Sequence, residues 1–292
     1  MSVVAAPAPR GIFRTLLVLG RVSNLPTVWS NCLAGWLLAQ GSDLFTFFLL
    51  CTGATFMYVG GMYLNDAFDA QFDQQHRPER PIPAGNISLA AVWIWGLGWL
   101  SAGLVCLVFL GKTTAIFALL LALAILLYDA VHKMFSVSPV LMASCRFFLI
   151  LLAASTGTEG VTGMSVWVAV VLACYIVGLS YIARKESVQS PLRYWPCLFL
   201  AAPVVLAWIV NAGQYRLRSI FLCLIFLAWV IWCLSFIFLS RQRNIGRCVS
   251  GLLAGIVIVD FMAVWVADPE TAFSFAMLFG LALLFQRFIP AT

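Results

Sequence analysis

Residues 88–110 read SLAAVWIWGLGWLSAGLVCLVFL, an apolar run without one charged side chain. About 20 helical residues cross a hydrocarbon core of roughly 30 Å, so this run is long enough to span a membrane. It lacks the polar–apolar alternation that barrel strands of ~10 residues require. Residues 219–240, SIFLCLIFLAWVIWCLSFIFLS, read the same way. Of the 292 residues 63% are hydrophobic and only 10% are charged, whereas soluble domains carry roughly a quarter charged residues. Such a chain cannot cover itself with a wetted surface. In lipid the backbone must satisfy its own hydrogen bonds, so the expected fold is all-α, a polytopic bundle of membrane helices.

Working outward, apolar segments fall at about 24–40, 43–65, 88–110, 113–129, 138–156, 164–183, 195–211, 218–240, 248–267 and 271–289. That predicts nine, or with the last pair both crossing ten, transmembrane helices in a single domain covering 1–292. Residues 1–22 form an N-terminal arm, with a short amphipathic interfacial helix from Arg10 to Arg21 that ends near Pro26. The opening MSVVAAPAPRGIFR has no cleavable hydrophobic region, so the first span directs insertion. The N-terminal arm and the even-numbered loops together hold twelve Lys and Arg, against three in the odd-numbered loops. The positive-inside rule then places the N-terminus and the even loops in the cytoplasm; a bacterial inner membrane is the expected location, with an organelle membrane the alternative. The loops after segments two and six lie on that same face. The net charge of +6 is a topology signal; no nucleic-acid module is visible, and nucleic acid is not an expected partner. The nine cysteines are scattered through apolar runs without a CxxC, and read as packing residues rather than disulfides or zinc ligands.

Three of the eleven acids cluster in Asn65-Asp66-Ala67-Phe68-Asp69-Ala70-Gln71-Phe72-Asp73. Asn65, Asp69 and Asp73 are spaced i, i+4, i+8 and share a helix face, with Asp66 a quarter-turn aside. Acids at a helix C-terminus oppose the helix dipole, so stability alone does not explain them. An all-oxygen set suits Mg²⁺, which shares its coordination shell with substrate phosphates. Arg77 and Arg80 follow in a segment broken by three prolines and a glycine. Their forks suit phosphate oxygens; anchoring at the cytoplasmic face is the alternative. His76 reads as an interface residue.

Asn65-Asp66-x-x-Asp69-x-x-x-Asp73 followed by Arg80-Pro81-x-Pro83-x-Gly85 resembles the first aspartate-rich motif of the UbiA-type intramembrane prenyltransferases. The stretch Arg21-Val22-Ser23-Asn24-Leu25-Pro26-Thr27-Val28-Trp29-Ser30-Asn31 adds to the likeness, which weakens after residue 200. The resemblance implies a helix bundle around a central cavity open sideways to lipid. It implies transfer of a prenyl group from a prenyl diphosphate to a lipophilic, typically aromatic, acceptor. It also implies Mg²⁺ bound by Asn65, Asp66, Asp69 and Asp73, with catalytic loops at 66–87 and 184–194.

The family's second acidic motif follows span six. Here that place holds Tyr181-Ile182-Ala183-Arg184-Lys185-Glu186, with Glu186 the one acid. Either Glu186 keeps one metal while Arg184 and Lys185 supply charge to the leaving diphosphate, or the chemistry is altered and the loop is ordinary positive-inside sequence. By the same resemblance Tyr128 faces a developing allylic cation and Lys133 touches the diphosphate; an interfacial Tyr and an anchoring Lys are the plainer reading. Asp129 is expected to pair with Lys133 one turn on. Arg146 lies inside segment five, where a lone charge is costly, and is expected to face the cavity. Asp260 is as readily structural. Arg21, Asn24 and Tyr181 complete the candidate substrate-binding residues. Two other readings are a catalytically silent relative that binds prenyl lipids and a small-molecule or lipid transporter. The transporter reading lacks the expected inverted repeat. Chain length, acceptor and oligomeric state are not legible.

Overall fold

The computed structural model describes residues 11–133, 135, 137–184, 194–210, 216–265 and 269–291. All regular structure among them is helical. In chain order the helices are α1 (Ile12–Leu19), α2 (Leu25–Leu38), α3 (Leu44–Phe68), α4 (Ala70–His76), α5 (Leu89–Val108), α6 (Lys112–Val131) and α7 (Ser138–Ala154). They continue as α8 (Gly163–Ala183), α9 (Pro196–Leu200), α10 (Ala202–Val210), α11 (Arg216–Phe238), α12 (Ile245–Val264) and α13 (Ala272–Phe288). Six helices are long and apolar enough to cross a membrane: α3, α5, α6, α8, the 219–238 part of α11, and α12. Three shorter apolar stretches, Ser138–Ala154, Pro196–Ile209 and Ala272–Phe288, accompany them. Large apolar side chains such as Phe45, Trp95, Phe109, Trp208 and Phe221 point outward, more than half exposed, as a surface solvated by lipid requires.

Helix starts follow capping chemistry. The Asp43 carboxylate accepts from the Phe45 and Thr46 amides at the head of α3. Ser88 does the same for the Ala91 amide at α5, and Thr162 and Ser165 form a reciprocal capping box at α8. Each satisfies amides that the first turn leaves without a partner.

Two expected elements differ. The N-terminal helix stops at Leu19 rather than near Pro26. Arg21 takes a left-handed conformation (φ 40, ψ 47) and a single 3-10 turn, Val22–Asn24, follows. Pro26 sits in the first turn of α2, where its missing N–H costs nothing. Segment 195–211 is likewise split into α9 and α10 at Ala201. Pro203 falls in the first turn of α10; it is tolerated in an opening turn and would break a helix interior.

Helix α2 is central, packing on α3, α7, α12 and α13. One apolar core gathers α7, α8, α11 and α12 around Tyr175 and Phe226; a second gathers α2, α3, α5 and α6 around Leu50, Met57, Leu64 and Leu107. Between α3 and α5 the backbones touch. A Cβ on Gly60 would stand 2.5 Å from the Leu100 nitrogen, and one on Gly103 would stand 2.7 Å from the Gly53 oxygen. Small residues permit such close approach in membrane bundles. Gly60→Leu therefore has to push two helices apart, with an expected loss of about 1–3 kcal/mol. It is read as a lowered thermal midpoint in one fixed detergent; an unchanged midpoint would mean the α3–α5 contact is slack.

Candidate active site

The ends of α3, α6 and α8 and the starts of α2 and α7 meet at one end of the bundle around a cavity of about 470 Å³. Its deeper wall is apolar, with Val28, Met57, Leu121, Leu149, Leu179 and Leu253. Its mouth is charged: Asp69, Asp73, Arg21, Arg77, Arg80, Lys133 and Arg184 all line it. The loops that the positive-inside count placed on one face thus border one opening.

The acidic stretch keeps its helical hydrogen bonds past the end of α3. The Asp69 amide bonds the Asn65 carbonyl at 3.0 Å and the Asp73 amide bonds the Asp69 carbonyl at 2.9 Å. Asn65, Asp69 and Asp73 all reach the cavity. Asp66 is absent from the lining, its carboxylate taken up by two arginines. Its Oδ1 accepts from Arg80 Nη1 at 2.9 Å and from Arg21 Nη2 at 3.3 Å. Arg21 Nη2 also donates to Asn65 Oδ1 at 3.2 Å, and Asn65 Nδ2 donates to Asp129 Oδ1 at 3.1 Å. The left-handed kink at Arg21 is what swings this guanidinium from the end of α1 toward α3. Such strain persists only where its surroundings hold it.

Asp69 Oδ1 meets Lys133 Nζ at 2.6 Å and His132 Nε2 at 3.3 Å. Burial works against its charged form, but these hydrogen bonds and charges outweigh it and hold the carboxyl below its ordinary range. Lys133 also lies over the Phe72 ring, 3.7 Å from its centroid. Asp73 is 3% exposed and its Oδ1 has no partner among the described residues. Burial raises its pKa, with help from the negative charge of Asp69, against the pull of Arg80 and Lys133. Arg80 is shifted down, chiefly by burial and by Arg21 beside it.

The donor set fits a hard divalent cation. Asn65 Oδ1, Asp69 and Asp73 are oxygen ligands on the cavity wall, and the buried Oδ1 of Asp73 lacks a partner. Such orphaned polar atoms are costly unless something fills them. A preformed cage of Asn65, Asp66, Asp69 and Asp73 is, however, not present. Among the described residues no three of His, Cys, Asp and Glu converge on one point, because Asp66 and Asp69 are already engaged by cations. A metal and its diphosphate would have to exchange those partners.

The model of the UbiA prenyltransferase family matches residues 25–282. The chain belongs to that family. Two relatives are named digeranylgeranylglyceryl phosphate synthase. The one from Methanothrix thermoacetophila is 31% identical over 40% of this chain and 44% of its own length. The one from Methanoregula boonei is 30% identical over 47% and 50%. This chain thus spans half or less of the curated relatives it matches. The fold is also that of solved UbiA structures. A UbiA homolog from Archaeoglobus fulgidus bound to GPP and Mg²⁺ superposes with a TM-score of 0.65 over 93% of this chain and 99% of that one, at 12% identity. A UbiA homolog from Aeropyrum pernix K1 gives 0.52 over 93% and 97%, at 15% identity.

Within this UbiA fold the remaining candidate residues fall as follows. Tyr128 lines the cavity and stacks on His132, ring centroids 4.9 Å apart. Arg146 lines it from α7 and donates to Thr27 and Asn31. Arg184 lines it while donating to Ser138 Oγ at 3.2 Å. Asn24 lines it, but its amide nitrogen is engaged by the Ala291 carbonyl at 3.0 Å. Tyr181 does not line the cavity; it packs edge-to-face on Trp195 at 4.5 Å, since its position on α8 is nearly opposite Leu179 and Ala183, which do line it. Lys185 and Glu186 lie outside the described residues. The expected Asp129–Lys133 pair is replaced: Lys133 reaches across to Asp69, and Asp129 takes the amide of Asn65.

Two site residues escaped the sequence reading, His132 and the ligand role of Asp129 toward Asn65. His132 had a signal, since it stands four residues after Tyr128 on the same helix face. Thr27 and Asn31, which hold Arg146, were given no role either, although both stand in the Arg21–Asn31 stretch that carries the family likeness.

Proposed function

We propose that this chain transfers a prenyl group from a prenyl diphosphate to a lipophilic acceptor inside the membrane. The observation that carries the reading is one cavity with acids and cations together at its mouth and an apolar interior behind them. A diphosphate belongs at the mouth, and its hydrocarbon tail belongs against Met57, Leu121 and Leu149. Asn65, Asp69 and Asp73 would hold Mg²⁺, which when bound supplies positive charge to the diphosphate. Arg77, Arg80, Lys133 and Arg184 add fixed positive charge around the leaving group, aimed where negative charge develops. The bond between the prenyl C1 and the diphosphate oxygen breaks with its electron pair left on oxygen. The acceptor's nucleophilic atom then bonds C1 and the acceptor releases its proton. The face of Tyr128 suits the cationic carbon, and the apolar wall excludes water from it.

We take the acceptor to be lipophilic and aromatic; the name of the archaeal relatives points instead to a prenylated glyceryl phosphate. We also infer nine or ten crossings in one domain, with one contact favouring the even number. Asn24, at the start of the first crossing, bonds Ala291, beyond the end of the last, and an even count returns the chain to its starting face. That face is the cytoplasmic one by charge, in a bacterial inner membrane or, as the organisms of the relatives suggest, an archaeal cell membrane. A silent relative remains a second reading because the loop after α8 carries Glu186 as its single acid. Incubation of the purified protein with C10 to C20 prenyl diphosphates, Mg²⁺ and a membrane lipid extract, followed by mass spectrometry, separates the two. A prenylated product supports transfer; Mg²⁺-dependent binding without product across all acceptors supports the silent relative.

A further inference from the structure

The charged mouth accounts for the diphosphate, but it does not account for Arg146. This residue sits on α7 eight positions beyond Ser138, about 12 Å deeper along the helix axis. Ser138 is where Arg184 bonds, at the mouth. The Arg146 guanidinium reaches back to α2 one turn below Asn24 and, among the described residues, pairs with none of the acids of the mouth. Yet Arg146 lines the same cavity.

Its surroundings are built. Nη1 donates to the Thr27 carbonyl at 3.1 Å and to Asn31 Oδ1 at 2.6 Å, and Nη2 donates to Thr27 Oγ1 at 2.9 Å. Thr27 and Asn31 are fully buried. Asn31 turns its amide nitrogen to Asp260 Oδ2 at 2.7 Å, which also accepts from Ser30 Oγ. Asp260 is itself fully buried. The amide of Asn31 is thereby locked, oxygen toward Arg146 and nitrogen toward Asp260. The acid steadies the guanidinium through Asn31 and does not touch it, so Arg146 has no ion-pair partner among the described residues. A guanidinium carries five N–H donors; three bonds are made to α2, and no described residue accepts from the remaining two. Linking α7 to α2 explains the three bonds. It does not explain why a permanently charged fork, rather than a neutral donor, lines an apolar cavity wall inside a membrane span.

Resting on the prenyl-transfer reading, we propose that Arg146, fixed by Thr27 and Asn31 and steadied by Asp260, recognises an anionic oxygen group, carboxylate or phosphate, on the acceptor. The anchored edge holds the fork still, and the donors left over offer the acceptor charge-assisted hydrogen bonds in a low-dielectric wall. Arg146 is thus a specificity-determining residue, and Asp260 a positioning one.

The test uses the full chain in lipid nanodiscs, with Mg²⁺ and a non-hydrolysable prenyl thiodiphosphate bound. Two matched pairs are titrated: 4-hydroxybenzoate against its methyl ester, and a prenylglyceryl phosphate against its dephosphorylated alcohol. The anionic member of one pair is expected to bind about tenfold tighter or more than its neutral partner; which pair does so identifies the source of the anion. Arg146→Gln is expected to erase that difference and leave thiodiphosphate affinity unchanged. Where Arg146→Gln does not yield folded protein, Arg146→Lys is read in its place, and the preference should fall to an intermediate value because the charge stays while the fork is lost. Equal binding within both pairs, or a preference that survives the substitution intact, overturns the inference alone. Failure of the thiodiphosphate to bind with Mg²⁺ overturns the transfer reading and this inference with it.

Discussion

Replacing Asp69 and Asp73 together with alanine is expected to abolish Mg²⁺-dependent diphosphate release, a fall of about 10³-fold or more, while the protein stays folded. Both acids line the cavity mouth, and they are the two carboxylates of the acidic stretch that do so. The fold tolerates their loss for separate reasons. Asp69 pairs with Lys133, whose side chain is 32% exposed, so water takes over the ammonium when the acid is gone. Asp73 is buried with an unpartnered oxygen, and removing it relieves a desolvated charge. The check is diphosphate release and the thermal midpoint measured on the same preparation. Full activity in the double variant would remove these acids from the mechanism. Loss of the folded state would make them structural instead.

Asp66→Ala is expected to do the reverse and weaken the fold first. Its carboxylate, 5% exposed, is the shared partner of Arg21 and Arg80, each 17% exposed. One acid therefore ties together the link between α1 and α2, the end of α3 and the loop carrying Arg80. Deleting one side of a buried pair costs about 3–5 kcal/mol because it strands a charge. Here Arg21 keeps Asn65 and both arginines keep some water, so about 2–3 kcal/mol is the expected loss. It is read as a thermal midpoint well below that of the Asp69–Asp73 double variant. Activity should fall as well, since Arg80 would no longer be held at the mouth. An Asp66→Ala protein that melts like the wild type would mean the ion-pair cluster is solvated and worth little.

The contrast between these acids shows how far sequence reasoning reaches. The spacing of Asn65, Asp69 and Asp73 is a local property, and helical periodicity carries it into space; that Asp66 is drawn off by Arg21 and Arg80 is a tertiary matter that spacing does not show. The helices were legible for the same reason: apolar runs long enough to span, such as 88–110 and 164–183, fold as the single helices α5 and α8. Tertiary competition was not legible. Lys133 stands one turn from Asp129, an ordinary i, i+4 pair, but Asp69 on α3 takes the lysine. Tyr181 reads as part of the second motif, yet a one-residue step from Ser180 rotates it by about 100° toward Trp195. The break at Ala201 was hidden because the apolar run of 195–211 continues through it, and Pro203 alone marks it. The Arg146–Asn31–Asp260 chain joins residues up to 229 positions apart, a separation that no spacing rule covers.

A charged mouth that handles a metal-bound prenyl diphosphate makes diphosphate release depend on the metal. The most direct measurement is diphosphate release by the purified wild-type protein from a prenyl diphosphate, with Mg²⁺ and with Mg²⁺ removed by EDTA, in the presence of lipid-extracted acceptors. Release is expected with Mg²⁺, none with EDTA, and recovery when Mg²⁺ is restored. Release that is indifferent to Mg²⁺, or no release with any prenyl diphosphate and acceptor, would contradict that expectation.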